Sequence, residues 1–240
     1  MSLAQRWKER VKSGQAGAPA TVGNAGPGGK GSVNKSQLMQ LLDTGLDVAL
    51  KALKGLKSKS DKVAYKKDKL LPEFVEYVNR LMDKGWEHPL LPWFMVWCLD
   101  VGLMEKALTI AKFCMEKGIK LDGEAFARDI PTLVADLTHK WAEQSFKDGH
   151  SPEPYFSDVF DLVAASTGTD PWAQHDEVRA KFFKLKGLIE YDAGDLAAAQ
   201  EHLQKAYDLG ATVKTVLAEV IKKAEASQSA EANGPEGGEK

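Results

Sequence analysis

Apolar residues recur at helical spacing along most of this chain, and the pattern is clearest over residues 176–210, DEVRAKFFKLKGLIEYDAGDLAAAQEHLQKAYDLG. Val178, Phe182, Leu185 and Ile189 are spaced 4, 3 and 4 apart, and Leu196, Ala199, Leu203 and Ala206 are spaced 3, 4 and 3 apart. Each set forms one stripe of a 3.6-residue period, which predicts two helices joined by a tight turn at 192–195. Gly194 suits a turn position of positive φ, Asp195 suits the cap of the next helix, and Gly210 suits its stop. Ala197, Ala198 and Ala199 are small enough to let a neighbouring helix come close. The skeleton recurs 92 residues upstream, in WCLDVGLMEKALTIAKFCMEKG at 97–118. Asp100, Gly102, Ala107 and Gly118 stand where Asp192, Gly194, Ala199 and Gly210 stand, a shared D-x-G-x4-A-x10-G. Two helical hairpins of one type are expected, similar to single tetratricopeptide units, building a core and carrying no chemistry of their own.

The same reading extends along the chain. Residues 2–12 predict a short basic amphipathic helix, with Leu3, Trp7 and Val11 on one face, too short to hold without a partner. Residues 13–35, rich in Gly, Ala, Pro, Ser and Asn, read as a flexible linker. From Ser36, a candidate cap, Leu38, Leu42, Leu46, Ala49, Leu53 and Leu56 predict a helix. Gly55 with Ser58 and Ser60 predicts a break, followed by a basic helix over 61–70 and a further helix starting at Pro72. More helices are expected over 89–118, from Pro131, over 154–166 and around Val213, Val216, Leu217, Val220 and Ile221. Residues 226–240 are small, acidic and Gly-rich, a disordered tail. No segment alternates with period two. The expected fold is all-α, a helical bundle with basic N-terminal helices, divided into 1–35, 36–72, 73–225 and 226–240.

Composition narrows the class. A chain of 240 residues with 43% hydrophobic content is ample for a packed core. No apolar run approaches the length of a membrane span, and the charged start MSLAQRWKERVK does not read as a secretory signal. Net charge is only −2 but unevenly spread: residues 1–72 carry 14 Lys+Arg and 5 Asp+Glu, or +9, whereas residues 73–240 carry 18 and 29, or −11. A basic end on an acidic body points to a polyanion at the first and another partner at the second.

Candidate chemistry follows from that split. Lys59, Lys62, Lys66 and Lys69, spaced 3, 4 and 3 apart, align four ammonium groups on one helical face, with Lys51, Lys54, Lys57 and Lys67 beside them. Arg6, Lys8, Arg10 and Lys12 add a second basic group. Lysines so placed neutralise phosphates, and binding through them weakens steeply with salt. GPGGKGS lacks the spacing and the preceding strand of a phosphate loop. Asp158 and Asp161, and Glu73, Glu76 and Asp83, have ordinary surface spacings, and the five histidines form no ligand motif. No catalytic residue, metal or cofactor is expected. Cys98 and Cys114 sit in apolar helical patterns, as buried thiols of a reducing compartment would. Trp93, Phe94 and Trp97 read as core rather than as base-stacking residues.

The residues AQR…RV at 4–11, KKDKLLPEFVEYV at 66–78, WCLDVGLMEKALTIAKFCMEKGIKL at 97–121 and, above all, DEVRAKFFKLKGL…AGDLAAAQEHLQKAYDLG at 176–210 resemble the GpM-type small terminase subunits of tailed phages and prophages. This family commonly carries the label terminase endonuclease subunit. The resemblance implies a role in packaging viral DNA: recognition of double-stranded DNA, assembly as a homo-oligomer, in all expectation a ring, and partnership with a large subunit that supplies the ATPase motor and nuclease. The place of action would be the cytoplasm of the bacterial host. Some relatives end in a Lys-rich tail, whereas this chain ends in PEGGEK, which moves the expected DNA contact to the N-terminal third. The rival from another class is a tetratricopeptide-like adaptor that binds a protein partner without DNA. A third reading is an intrinsic Mg²⁺-dependent nuclease.

Overall fold

Helix α1, Lys35–Gly55, buries Leu38, Leu42, Leu46, Ala49 and Leu53, the stripe expected of it. Its cap is Asn34 rather than Ser36: the Asn34 side chain accepts the Ser36 N–H at 3.3 Å, which sets the helix start two residues earlier. The computed structural model to which this helix belongs describes residues 34–232. The basic helix at 2–12, the linker to residue 33 and the tail beyond 232 lie outside the described residues.

After Leu56, Lys57 and Ser58 the chain enters α2, Lys59–Tyr65, capped by Ser58, whose Oγ accepts the Asp61 N–H at 3.4 Å. Here the structure corrects the sequence reading. Pro72 does not start a new helix. The helix runs from α2 through one π turn, Lys66–Leu70, into α3, Leu71–Asp83. Within the π turn the Leu71 N–H reaches back five residues to the Lys66 carbonyl. Proline lacks an N–H and its ring collides with the carbonyl four residues back, so a regular α-helix breaks there. The wider turn shifts the hydrogen-bond partners just before Pro72 and lets the helix pass through it.

The chain divides into two compact units, the first ending at Ile130 and the second beginning at Pro131. A boundary at 72/73 would instead fall inside a continuous helix. In the first unit, α4, Leu90–Asp100, and α5, Met104–Lys117, form the expected hairpin. Trp97 is fully buried, with its ring centroid 5.8 Å from Phe74 and 6.3 Å from Phe94. Trp93 is half-buried and packs on Phe126 at 4.7 Å, so all three aromatics serve packing. Buried His88 joins the loop to two helices. Its Nδ1 accepts the Leu90 N–H at 3.0 Å, and its Nε2 lies 3.1 Å from Asp43 Oδ1 on α1.

The second unit holds α6, Ile130–Lys147, α7, Tyr155–Ala165, α8, Asp176–Asp192, α9, Leu196–Asp208, and α10, Lys214–Ala232. Helix α10 extends into the stretch assigned to the tail, because ASQSAEA at 226–232 is made largely of residues that tolerate or favour helix. Phe156 stacks on Phe182 at 5.5 Å with planes 5° apart, and Phe160 meets Phe183 edge-on at 5.3 Å. Helices α8 and α9 form the second hairpin. Its close approach comes from Gly187, where an added Cβ would stand 2.7 Å from Leu203 Cγ and 3.1 Å from the Ala199 carbonyl oxygen. Of the three alanines expected to serve there, Ala199 is fully buried and Ala197 is exposed.

The repeat seen in the sequence is a repeat of turns. Gly102 and Gly194 have φ of 78° and 84°. The following N–H, of Leu103 or Asp195, reaches back to Cys98 O at 2.9 Å or Glu190 O at 3.0 Å. That is the Schellman closure, which satisfies carbonyls that the helix end leaves over. One hairpin belongs to each unit. Among the described residues there are helices and no strands, and the fold is all-α.

Candidate nucleic-acid interface

The lysines singled out from the sequence sit where α1 ends and α2 begins. Lys51 and Lys54 occupy the last turns of α1, Lys57 the three-residue connection, and Lys59 and Lys62 the first turn of α2. Lys51, Lys54, Lys57 and Lys59 are exposed and Lys62 is half-buried. Four exposed ammonium groups thus lie within nine residues of chain around one elbow. Placing cations at a helix C-terminus also favours α1 itself, since its last carbonyls carry partial negative charge. Asp61, in the first turn of α2, is an acid within this group.

The expected single stripe of Lys59, Lys62, Lys66 and Lys69 is not what the backbone produces. The π turn advances the helix by a smaller angle per residue, so Lys69 is carried off the line through the other three. Lys66 is turned inward. Its side chain is 15% exposed, and its Nζ lies 2.5 Å from Asp100 Oδ2 at the end of α4. Lys67 and Lys69 are exposed within the π turn, on either side of Asp68 in the chain. Lys66 therefore belongs to the fold, and the remaining lysines separate into an elbow group and a π-turn group. No local signal in the sequence announces the Asp100 contact, which spans 34 positions. Lys35, outside the predicted set, stands over the Trp86 ring at 5.2 Å. Arg6, Lys8, Arg10 and Lys12 lie outside the described residues.

The groups considered for hydrolysis stay apart. Asp158, Asp161, Glu73, Glu76 and Asp83 are exposed, and among the described residues no three His, Cys, Asp or Glu side chains gather as metal ligands. His139 offers its Nε2 to the Lys181 carbonyl at 3.2 Å, and burial lowers its affinity for a proton, as it does for His88 against the opposing pull of Asp43. His202 Nδ1 pairs with Glu190 Oε2 at 2.6 Å, and Lys186 Nζ donates to Ser157 Oγ at 3.0 Å; these pairs tie α7, α8 and α9 together. Cys98 and Cys114 are buried and free, with thiols pushed up to about 12 by burial. No helix among the described residues is long and apolar enough to cross a membrane.

An all-α chain with a lysine-lined elbow and no gathered metal ligands among its described residues is, by its architecture, a helical scaffold with a cationic edge. Comparison with known proteins makes this specific. The model of the phage small terminase subunit family matches residues 44–171, just over half of the chain, and the protein belongs to that family. The terminase, endonuclease subunit of Escherichia phage P2 is 33% identical over 162 residues, covering 66% of this chain and 62% of that protein. The probable terminase, endonuclease subunit of Haemophilus phage HP1 is 28% identical over 151 residues, covering 62% of this chain and 52% of its own length. The chain thus spans between about half and two thirds of these relatives. No solved structure matches.

Proposed function

We propose that this protein is the DNA-recognising subunit of a terminase, which binds double-stranded viral DNA and regulates a large motor and nuclease subunit at the start of genome packaging. The observation that carries the reading is the elbow of Lys51, Lys54, Lys57 and Lys59, four exposed cations within the stretch matched by the family model. Duplex DNA presents a phosphate charge roughly every 1.7 Å along its axis, so such an elbow meets several phosphates at once. Lys62, Lys67 and Lys69 extend the contact, and Arg6, Lys8, Arg10 and Lys12 supply a second one. The acidic body docks the large subunit and carries self-assembly into a ring. Exposed apolar side chains, Leu162 and Tyr207 in the body and Leu41 and Val48 on α1, support such contacts. The host cytoplasm, where the DNA is packaged, is the place of action.

The test is the salt dependence of DNA binding. Changing Lys51, Lys54, Lys57 and Lys59 together to Gln lowers affinity and reduces the slope of log K against log salt by about 3–4, at roughly 0.9 per phosphate contact. Removal of residues 1–35 tests the second group. Binding and slope that survive both changes would overturn the assignment. The mass of the particle with and without DNA reads the assembly.

A second reading rests on the relatives' names, which place an endonuclease subunit in both phages. In the reading preferred here the large subunit cuts. Mg²⁺-dependent cleavage by the purified chain, lost when Asp158 and Asp161 become Asn, would move the activity to this one.

A further inference from the structure

Helix α2 buries none of its residues. It carries Lys59 and Lys62, and Val63 on it is 38% exposed. As the exposed first stretch of the helix that continues through the π turn into α3, α2 buries too little to fix its own direction, which is set by what anchors its two ends. At its start lies the short connection to α1, held by the Ser58 cap. At its end lies the π turn, whose geometry is looser than that of an α-helix and which commonly marks a functional joint. Leu70 buries the far end of that joint in the core, and at its near end a polar contact does the same: Lys66 Nζ to Asp100 Oδ2 at 2.5 Å, with the two side chains 15% and 29% exposed. Asp100 is itself fixed, because it ends α4 just before the Gly102 turn.

We infer that Asp100 is a positioning residue for the nucleic-acid interface: by pinning Lys66 at the π turn it sets the direction of the basic arm Lys59–Tyr65. The inference rests on the DNA reading above. Asp100 touches no DNA, and Lys66 neutralises no phosphate, because its ammonium is already taken. The pin acts by holding the arm in the binding direction beforehand, so that less ordering remains to be done on association.

Two variants and two readouts test this. Asp100→Asn keeps the shape and removes the carboxylate charge; Lys66→Met keeps the apolar stem and removes the ammonium, leaving the Asp100 carboxylate without its partner. Each is expected to weaken binding to a labelled duplex about fivefold, and the double variant to bind no worse than either single one. The salt slope stays that of the parent in Lys66→Met, unlike in the elbow variants. Amide hydrogen exchange at residues 60–66 of the free protein speeds up in both variants, while exchange in α8 and α9 does not change. Tighter binding by Asp100→Asn would overturn the inference, because it would make Lys66 a masked phosphate ligand. So would a reduced slope in Lys66→Met, or unchanged exchange at 60–66. Faster exchange with unchanged DNA affinity would leave a purely structural pair and overturn the positioning role. If DNA binding survives both the elbow variants and removal of residues 1–35, the DNA reading fails separately, and hydrogen exchange still decides whether the pin holds the arm.

Discussion

Gly187 shows how much one missing methyl group sets in this protein. The α8–α9 hairpin closes on it, and a Cβ there would stand 2.7 Å from Leu203 Cγ and 3.1 Å from the Ala199 carbonyl oxygen. Gly187→Ala gains about 0.8–1 kcal/mol of helix propensity. It also forces an overpacked contact that costs about 1–3 kcal/mol. The net expectation is a loss of up to about 2 kcal/mol, read as a lower urea midpoint with unchanged slope; a raised midpoint would show that the hairpin is looser than described. This contact was hidden in the sequence. The stripes of 176–210 named the helices and their turn, but a glycine within a helix looks like a weakness until the partner helix is in place. The same limit applies to Lys66. Its spacing placed it with Lys59 and Lys62, while its partner stands 34 positions away.

At the scale of elements, His88 and His139 join segments through neutral rings. His88 uses its bare Nδ1 to accept the Leu90 N–H at the start of α4, and His139 bridges α6 to the Lys181 carbonyl on α8. Burial lowers both below the ordinary 6.5. The unfolded chain then takes up protons before the folded one does, so this contribution is whole above about pH 6.5 and is lost as pH falls through the lower folded values. Urea unfolding at pH 7.5 and 5.5 is expected to give lower stability at the acid pH. His139→Gln keeps a donor for Lys181 and removes part of that difference; an unchanged difference would show that His139 does not titrate in this way. Elements were the most legible scale. Helix period and turn glycines are local properties, so both hairpins could be read from spacing alone. The π turn could not, because Pro72 reads equally well as a helix start and as an interruption that the helix survives.

For the molecule as a whole, legibility was divided. The charge split of +9 and −11 is visible in composition, and so is the concentration of lysines near residue 55. Which of those lysines remain free depends on tertiary contacts. The division after Ile130 also went unread, since no Gly- or Pro-rich linker marks it. A whole-unit prediction follows from the two thiols of the first unit. Cys98 and Cys114 are fully buried, with thiols near 12. A thiolate is the reactive form, so at pH 8 an aromatic disulfide reagent should leave the native protein untouched and titrate two thiols per chain in denaturant. Fast labelling of the native chain would mean that the first unit opens readily.

The π turn before Pro72 also determines what a change in chain length would do. A π turn amounts to one extra residue inside an α-helix. Deleting Asp68 and changing Pro72 to Ala would let α2, the turn and α3 merge into one helix of constant period. Everything before the deletion would turn only slightly relative to α3, because the wider winding of the π turn has already absorbed the extra residue. Lys59 and Lys62 would face nearly the same side as before. Among relatives of this chain, a single-residue gap at this point therefore leaves the aim of the cations almost unchanged, whereas the same gap in the regular helix on either side would swing them by about 100°, one residue's share of a turn.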